Sequence, residues 1–195
     1  TMATIYNYPY YPEHMERMGF AKDADWVEYR MTVPDAIPEK YLRVADIVQR
    51  KFGLSIYKIP SRKEVKEKYG RDIFDLINLT YKDLYGFVPL SDRQIDYYID
   101  MYLGLLRLDD VCLIIDSDER LVGVGISLPS LSKALRACQG KLFPTGWWGL
   151  LRAIRGHSDV VDLMLVAIAP EYQNKGVNAL LFSNLLPSYI RNGYK

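Results

Sequence analysis

The spacing of apolar residues changes period several times along the chain, and each change marks an element. From Glu39 to Phe52, the residues Tyr41, Leu42, Val44, Ala45, Ile47 and Val48 recur at helical intervals until Gly53 ends the pattern. Residues 54–59 read as a strand closed by Pro60. Ser61 and Glu64 have the spacing of a capping box heading a second helix, in which Val65, Tyr69, Ile73, Ile77 and Leu84 fall at threes and fours. Gly86-Phe87-Val88-Pro89 turns the chain, Ser91 and Asp92 offer a cap, and Tyr97, Tyr98, Met101 and Leu105 continue on a third helical pattern. Two apolar runs, 111–116 and 120–129, joined by Ser117-Asp118-Glu119, predict a β-hairpin. Gly123 and Gly125 lie inside the second run, so they mark close packing or a bulge and not a nucleotide fingerprint.

The start of the chain follows a different rhythm. Residues 11–18 form a short helical pattern with Pro12 in its first turn and Gly19 as its stop, and residues 25–31 alternate apolar and polar as a half-buried strand does. Pro34 and Pro38 then break any regular element, which places a boundary between residues 1–33 and residues 34–195.

The stretch richest in chemistry runs from residue 159 to the last residue. A β-branched apolar run, 160–168, meets Pro170, then Gly176, and then apolar residues at helical spacing through Leu180, Leu181, Leu185 and Ile190, so the order is strand, tight loop, helix. Pro187 inside that helix removes one backbone donor and predicts a kink. A helix opening straight from a loop leaves its first N–H groups unpaired and carries roughly half a positive charge there, a setting that suits phosphate. Gly176 would allow close backbone approach, with Gln173 and Lys175 adding a hydrogen bond and a charge at the mouth.

The run Val166-Ala167-Ile168-Ala169-Pro170-Glu171-Tyr172-Gln173-Asn174-Lys175-Gly176-Val177-Asn178-Ala179-Leu180-Leu181 resembles the acetyl-coenzyme A motif of the GNAT acyltransferase superfamily, with Asn178 standing where the family has a small residue. The resemblance implies an α/β fold: a mixed, mostly antiparallel sheet flanked by helices, whose last strands are absent from this chain because they would lie beyond Lys195. It also implies acetyl-coenzyme A, or another acyl-coenzyme A, as co-substrate. The backbone of Val166, Ala167 and Ile168 would bond the pantetheine arm, and Gln173, Asn174, Lys175, Gly176, Val177, Asn178 and Ala179 would hold the diphosphate. The implied activity is transfer of an acetyl group to an amine of a small molecule or peptide, and the same motif would also serve a non-catalytic acyl-coenzyme A binding or sensing module. Asp162, the only carboxylate on the central strand, is the candidate general base; it reads equally well as a strand-end charge facing water. By the same resemblance, residues 14–20 and the strand after them are similar to the closing helix and hairpin of a GNAT domain, so residues 1–33 read as the tail of a preceding module. Residues 34–195 then form a GNAT-like domain lacking its last strands. As it stands, such a chain is expected to bind coenzyme A weakly, to show no measurable transfer, and to leave an open sheet edge, covered by the early hairpin or paired in a homodimer.

Composition narrows the field. In 195 residues, 49% are hydrophobic and 13% aromatic, enough for a folded core. The formal charge of +1, from 25 basic and 24 acidic residues, gives no reason to expect nucleic acid or a membrane as partner. Cys112 and Cys138 are far apart and His14 and His157 are the only histidines, so neither a disulfide framework nor a metal site is signalled, and the cytoplasm is the expected location. No Ser-His-Asp order, paired-carboxylate motif or P-loop is present, which leaves hydrolase and kinase readings without residues to carry them. Two segments remain open in meaning. Tyr81, Tyr85, Phe87, Tyr97, Tyr98 and Tyr102 could line an acceptor pocket or simply pack with hydroxyls at the rim. The insertion 130–157, with Trp147, Trp148 and several basic residues, could meet an apolar ligand or partner, or anchor a long loop on the core.

Overall fold

The computed structural model describes residues 7–102 and 106–195. The helical periods become α1 (Tyr10–Arg17), α2 (Glu39–Phe52), α3 (Arg62–Tyr81), α4 (Asp92–Tyr102), α5 (Ser132–Ala137), α6 (Gly146–Arg152) and α7 (Val177–Arg191). The strands are β1 (Ser55–Ile56), β2 (Val111–Ile115), β3 (Leu121–Pro129) and β4 (Val161–Ile168). Leu105, expected on the α4 pattern, lies outside the described residues. The Ser61 hydroxyl accepts from the Glu64 N–H at 3.1 Å, the expected cap of α3, while the Glu64 carboxylate turns away to accept from the Tyr57 hydroxyl. α7 runs unbroken through Pro187.

The four strands pair in the order β1-β2-β3-β4, and every pairing is antiparallel. The sheet therefore follows the chain, with the expected hairpin at its centre and β4 as its last strand. α7 packs on the face that Gly125 presents: a Cβ there would fall 2.9 Å from the Leu181 side chain, so the missing methyl lets helix and sheet close on each other. Ser127, two residues on and hence on the same face, meets the Tyr189 hydroxyl of α7. α3 packs against β3 and β4, and α2 packs along α7. Tyr69, Ile73, Leu113, Val124, Leu181 and Leu185 are among the most deeply buried members of the resulting core.

β4 is not a regular strand. Ile126 of β3 faces Leu165, but Ser127 faces Leu163, so Met164 is an extra residue on β4. Such a bulge bends the strand and increases its twist. It leaves Leu163 and Met164 exposed on the strand that ends the sheet.

The segment before residue 34 departs from expectation. α1 forms but buries no residue, and residues 20–34 contain no strand. Trp26 leans on Tyr85 at 6.4 Å between ring centroids, and Tyr29 is 82% exposed. The alternation at residues 25–31 is real, but a strand needs a neighbour for its backbone groups. The edge of β4 has groups already bonded by side chains at Val166 and Ile168.

Candidate functional site

Strand geometry decides which backbone groups β4 can offer to a ligand. The Ala169 N–H donates to the Val122 carbonyl at 2.8 Å, and in an antiparallel ladder the pairs that bond to each other alternate. Ala167, opposite Val124, therefore spends its backbone on β3, and its side chain is buried. Val166 and Ile168 point their N–H and C=O groups at the free edge. Of the three strand residues expected to hold a pantetheine arm, geometry thus leaves two with groups to offer.

Both edge positions carry a side chain. The Tyr81 hydroxyl, at the last residue of α3, donates to the Val166 carbonyl at 2.9 Å and accepts from the Val166 N–H at 3.4 Å. The Gln173 side-chain amide donates to the Ile168 carbonyl at 2.9 Å. Gln173 is therefore a brace between loop and strand as well as a group at the mouth. Tyr81 was visible in the sequence only as one ring of an aromatic run; its reach to β4 spans 85 positions.

The loop then prepares the head of α7. Asn174 and Gly176 both take left-handed backbone, with φ of 59° and 82°, on either side of Lys175. Among the described residues, the N–H groups of Asn174, Lys175, Gly176, Val177 and Asn178 meet no acceptor, and no side chain caps the helix. These donors and the helix dipole make a positive end suited to an anion. Gly176 is required here for a reason other than ligand approach. Its Cβ would fall 3.1 Å from Val44 Cγ1 and 3.6 Å from Val48 Cγ2, so the vacant position faces α2. Val177 and Ala179 bury their side chains and can offer backbone alone, whereas Asn174, Lys175 and Asn178 are exposed.

A feature that the spacing of the motif did not signal completes the mouth. The Phe52 ring, at the end of α2, has Lys51 Nζ at 5.3 Å and Lys175 Nζ at 5.4 Å from its centroid, and it meets Tyr172 edge-on at 6.2 Å. The ring holds two cations beside the unpaired N–H groups. Asp162 stands apart, near the start of β4 and across the bulge from Val166. It is half-buried, and no ion pair or side-chain hydrogen bond engages it among the described residues.

The far end of α7 carries a different polar group. The Ser188 hydroxyl donates to Asp110 Oδ1 at 2.8 Å, Asn192 donates to Ser188 at 3.1 Å, and Arg107 Nε lies 3.4 Å from Asp110 Oδ2. Burial raises the Asp110 carboxyl above its ordinary range, against the pull of Ser188 and Arg107 in the other direction. Burial likewise pushes the Tyr189 and Tyr194 hydroxyls and the Cys112 thiol up to about 12, so all three remain protonated and unreactive near neutrality. The cluster fastens the end of α7 to the start of β2. Among the described residues, no group of three His, Cys, Asp or Glu side chains could hold a metal ion, and no helix is long and apolar enough to cross a membrane.

No family model matches the chain. It is 27% identical over 169 residues to Protein YghO of Escherichia coli strain K12, an alignment covering 85% of this chain and 42% of that protein. It is also 27% identical over 145 residues to a bacterial ceramide synthase of Caulobacter vibrioides, covering 70% of this chain and 35% of that protein. The chain spans less than half the length of the curated relatives it matches.

Proposed function

We propose that this chain carries the thioester-binding part of an acyl-coenzyme A dependent N-acyltransferase. The observation that supports this most is the continuity of the Val166 and Ile168 edge with the unpaired N–H groups of residues 174–178 and the cations Lys51 and Lys175. An extended amide-bearing arm that ends in a diphosphate needs just those two features in that order. The relative named a ceramide synthase adds support of another kind, since a ceramide is the amide of a fatty acid and a long-chain amino alcohol. The acceptor in this reading is an amine.

The reaction breaks a C–S bond and forms a C–N bond, while the amine loses a proton and the leaving thiolate gains one. Val166 and Ile168 would orient the arm, and Lys51, Lys175 and the loop donors would offset the phosphate charge. Asp162 is the carboxylate of β4 available to take the amine proton. Among the described residues no ion-pair partner engages its oxygens, which suits that task.

The test is calorimetric titration with coenzyme A and acetyl-coenzyme A, followed by thiol release in the presence of short- and long-chain amines. Saturable binding that weakens about tenfold in a Lys51→Ala, Lys175→Ala double variant supports the site. Binding unaffected by that variant would place the cofactor elsewhere. Binding without thiol release from any amine would favour a sensing module.

A further inference from the structure

Residues 131–157 contain Lys133, Arg136, Lys141, Arg152 and Arg155 and not one Asp or Glu, in a chain whose overall charge is only +1. The rest of the chain is therefore net acidic, and the balanced total conceals a strongly basic insertion. Lys133 is neutralised by Asp159. Among the described residues, Arg136, Lys141, Arg152 and Arg155 are exposed and meet no carboxylate.

The same segment exposes large apolar side chains. Phe143 is 81% and Trp148 is 58% exposed, with Leu142 and Trp147 also open to solvent. The Trp147 N–H donates to the Leu142 carbonyl at 2.9 Å, and its indole N–H donates to the Pro144 carbonyl at 3.0 Å, so the ring's polar edge is satisfied within the loop. Trp147 and Trp148 meet edge-to-face at 5.6 Å. Trp148 shares a cleft of about 210 Å³ with Leu151, Arg152, Arg155 and His157, which sets aromatic and cationic groups side by side.

We propose that the insertion 131–157 is a docking surface for an anionic phospholipid bilayer. Charge selects this occupant. Tryptophan and phenylalanine settle at the headgroup level, and unpaired Arg and Lys beside them gain from the negative surface potential of a bilayer rich in anionic lipid. A second exposed apolar patch, where Trp26, Tyr85 and Val88 lie open, has Asp23, Asp25 and Glu28 close to Trp26 in sequence, and Lys22 there is paired with Asp25. The overall charge of the chain argued against a membrane partner; its distribution argues for one.

The experiment is co-sedimentation of the full chain with phosphatidylcholine vesicles, with and without phosphatidylglycerol. It is paired with tryptophan fluorescence in a Trp26→Phe background, so that only Trp147 and Trp148 report. Expected are binding to the phosphatidylglycerol vesicles at low salt, a blue shift of the emission, and loss of both as salt rises. Arg152→Glu with Arg155→Glu, and separately Arg136→Glu with Lys141→Glu, should each lower vesicle affinity at least tenfold while unfolding temperature and coenzyme A titration stay unchanged. No binding at low salt, equal binding to phosphatidylcholine alone, or binding indifferent to both charge-reversed pairs would overturn the proposal. A concentration-dependent dimer abolished by Trp147→Ser with Trp148→Ser would also overturn it, by giving the face to a second copy. Vesicle binding is read without any thioester, so its failure leaves the acyl-transfer reading untouched.

Discussion

The Tyr81 hydroxyl sits on both polar groups of Val166, 2.9 Å from the carbonyl oxygen and 3.4 Å from the amide nitrogen. These are the groups through which an edge strand pairs with anything laid beside it. If an acyl-coenzyme A arm pairs with β4, it must take them from Tyr81. Tyr81→Phe should therefore raise acetyl-coenzyme A affinity by roughly two- to tenfold, the equivalent of one net hydrogen bond of about 0.5–1.5 kcal/mol no longer competing. Titration calorimetry on parent and variant reads this directly. A fall in affinity would instead show that the hydroxyl stays with the bound arm.

Gly176 adopts φ of 82°, and a Cβ placed there would lie 3.1 Å from Val44 Cγ1. Gly176→Ala should cost about 1–2 kcal/mol from the left-handed backbone alone. Gly176→Val should cost more and also lose coenzyme A binding, because α2 must move away from α7 and take Lys51 and Phe52 with it. Denaturant titration of both variants, alone and combined with Val44→Ala, separates the two causes. Val44→Ala should recover the packing loss and leave the backbone cost.

Asp162→Asn, made in a complete protein that carries out the transfer, tests the proposed proton acceptor. Loss of a general base should lower amine acylation by roughly 10²- to 10⁴-fold with thioester affinity unchanged. Turnover equal to that of the parent would transfer the role to water or to another residue.

Two buried carboxylates predict pH effects of opposite sign. Burial alone would raise Asp116, but the Arg120 side chain and the N–H groups of Arg120 and Asp118 outweigh it and hold the carboxyl below its ordinary range. Its stabilisation is complete above the ordinary Asp value of about 3.9 and is lost as pH falls through the lower folded value. Asp110 is raised by burial, so its contribution is complete below that ordinary value and is lost as pH rises through the folded one. Stability measured by denaturant midpoint across the acid range should show Asp116→Asn flattening the loss at the lowest pH. Asp110→Asn should flatten the decline on the rising side.

The elements were legible where a local rule suffices. Helical periods placed α2, α3 and α7 because side-chain spacing and caps act within a few residues, as Ser61 and Gly53 do. α3 nonetheless stops at Tyr81 and leaves Leu84, expected on its pattern, in the turn that follows. The strand, loop and helix around residues 161–191 were legible for the same reason. Residues 25–31 mark the limit of that logic. Their alternation satisfies the local condition for a strand, but pairing requires a partner edge, and no feature of those seven positions shows whether one is free.

The sequence by itself determined which residues stand at the loop from Gln173 to Asn178 and that a helix opens from it, since turn residues and helical periodicity are properties of neighbours along the chain. Only the tertiary structure decided what those residues do. It turned Gln173 into a brace on Ile168 and Gly176 toward Val44. It also brought Tyr81 to Val166 and Lys51 beside Lys175 around the Phe52 ring. These contacts depend on how α2 and α3 lie against the sheet. Burial of the whole core sets that arrangement, and no short stretch of sequence encodes it.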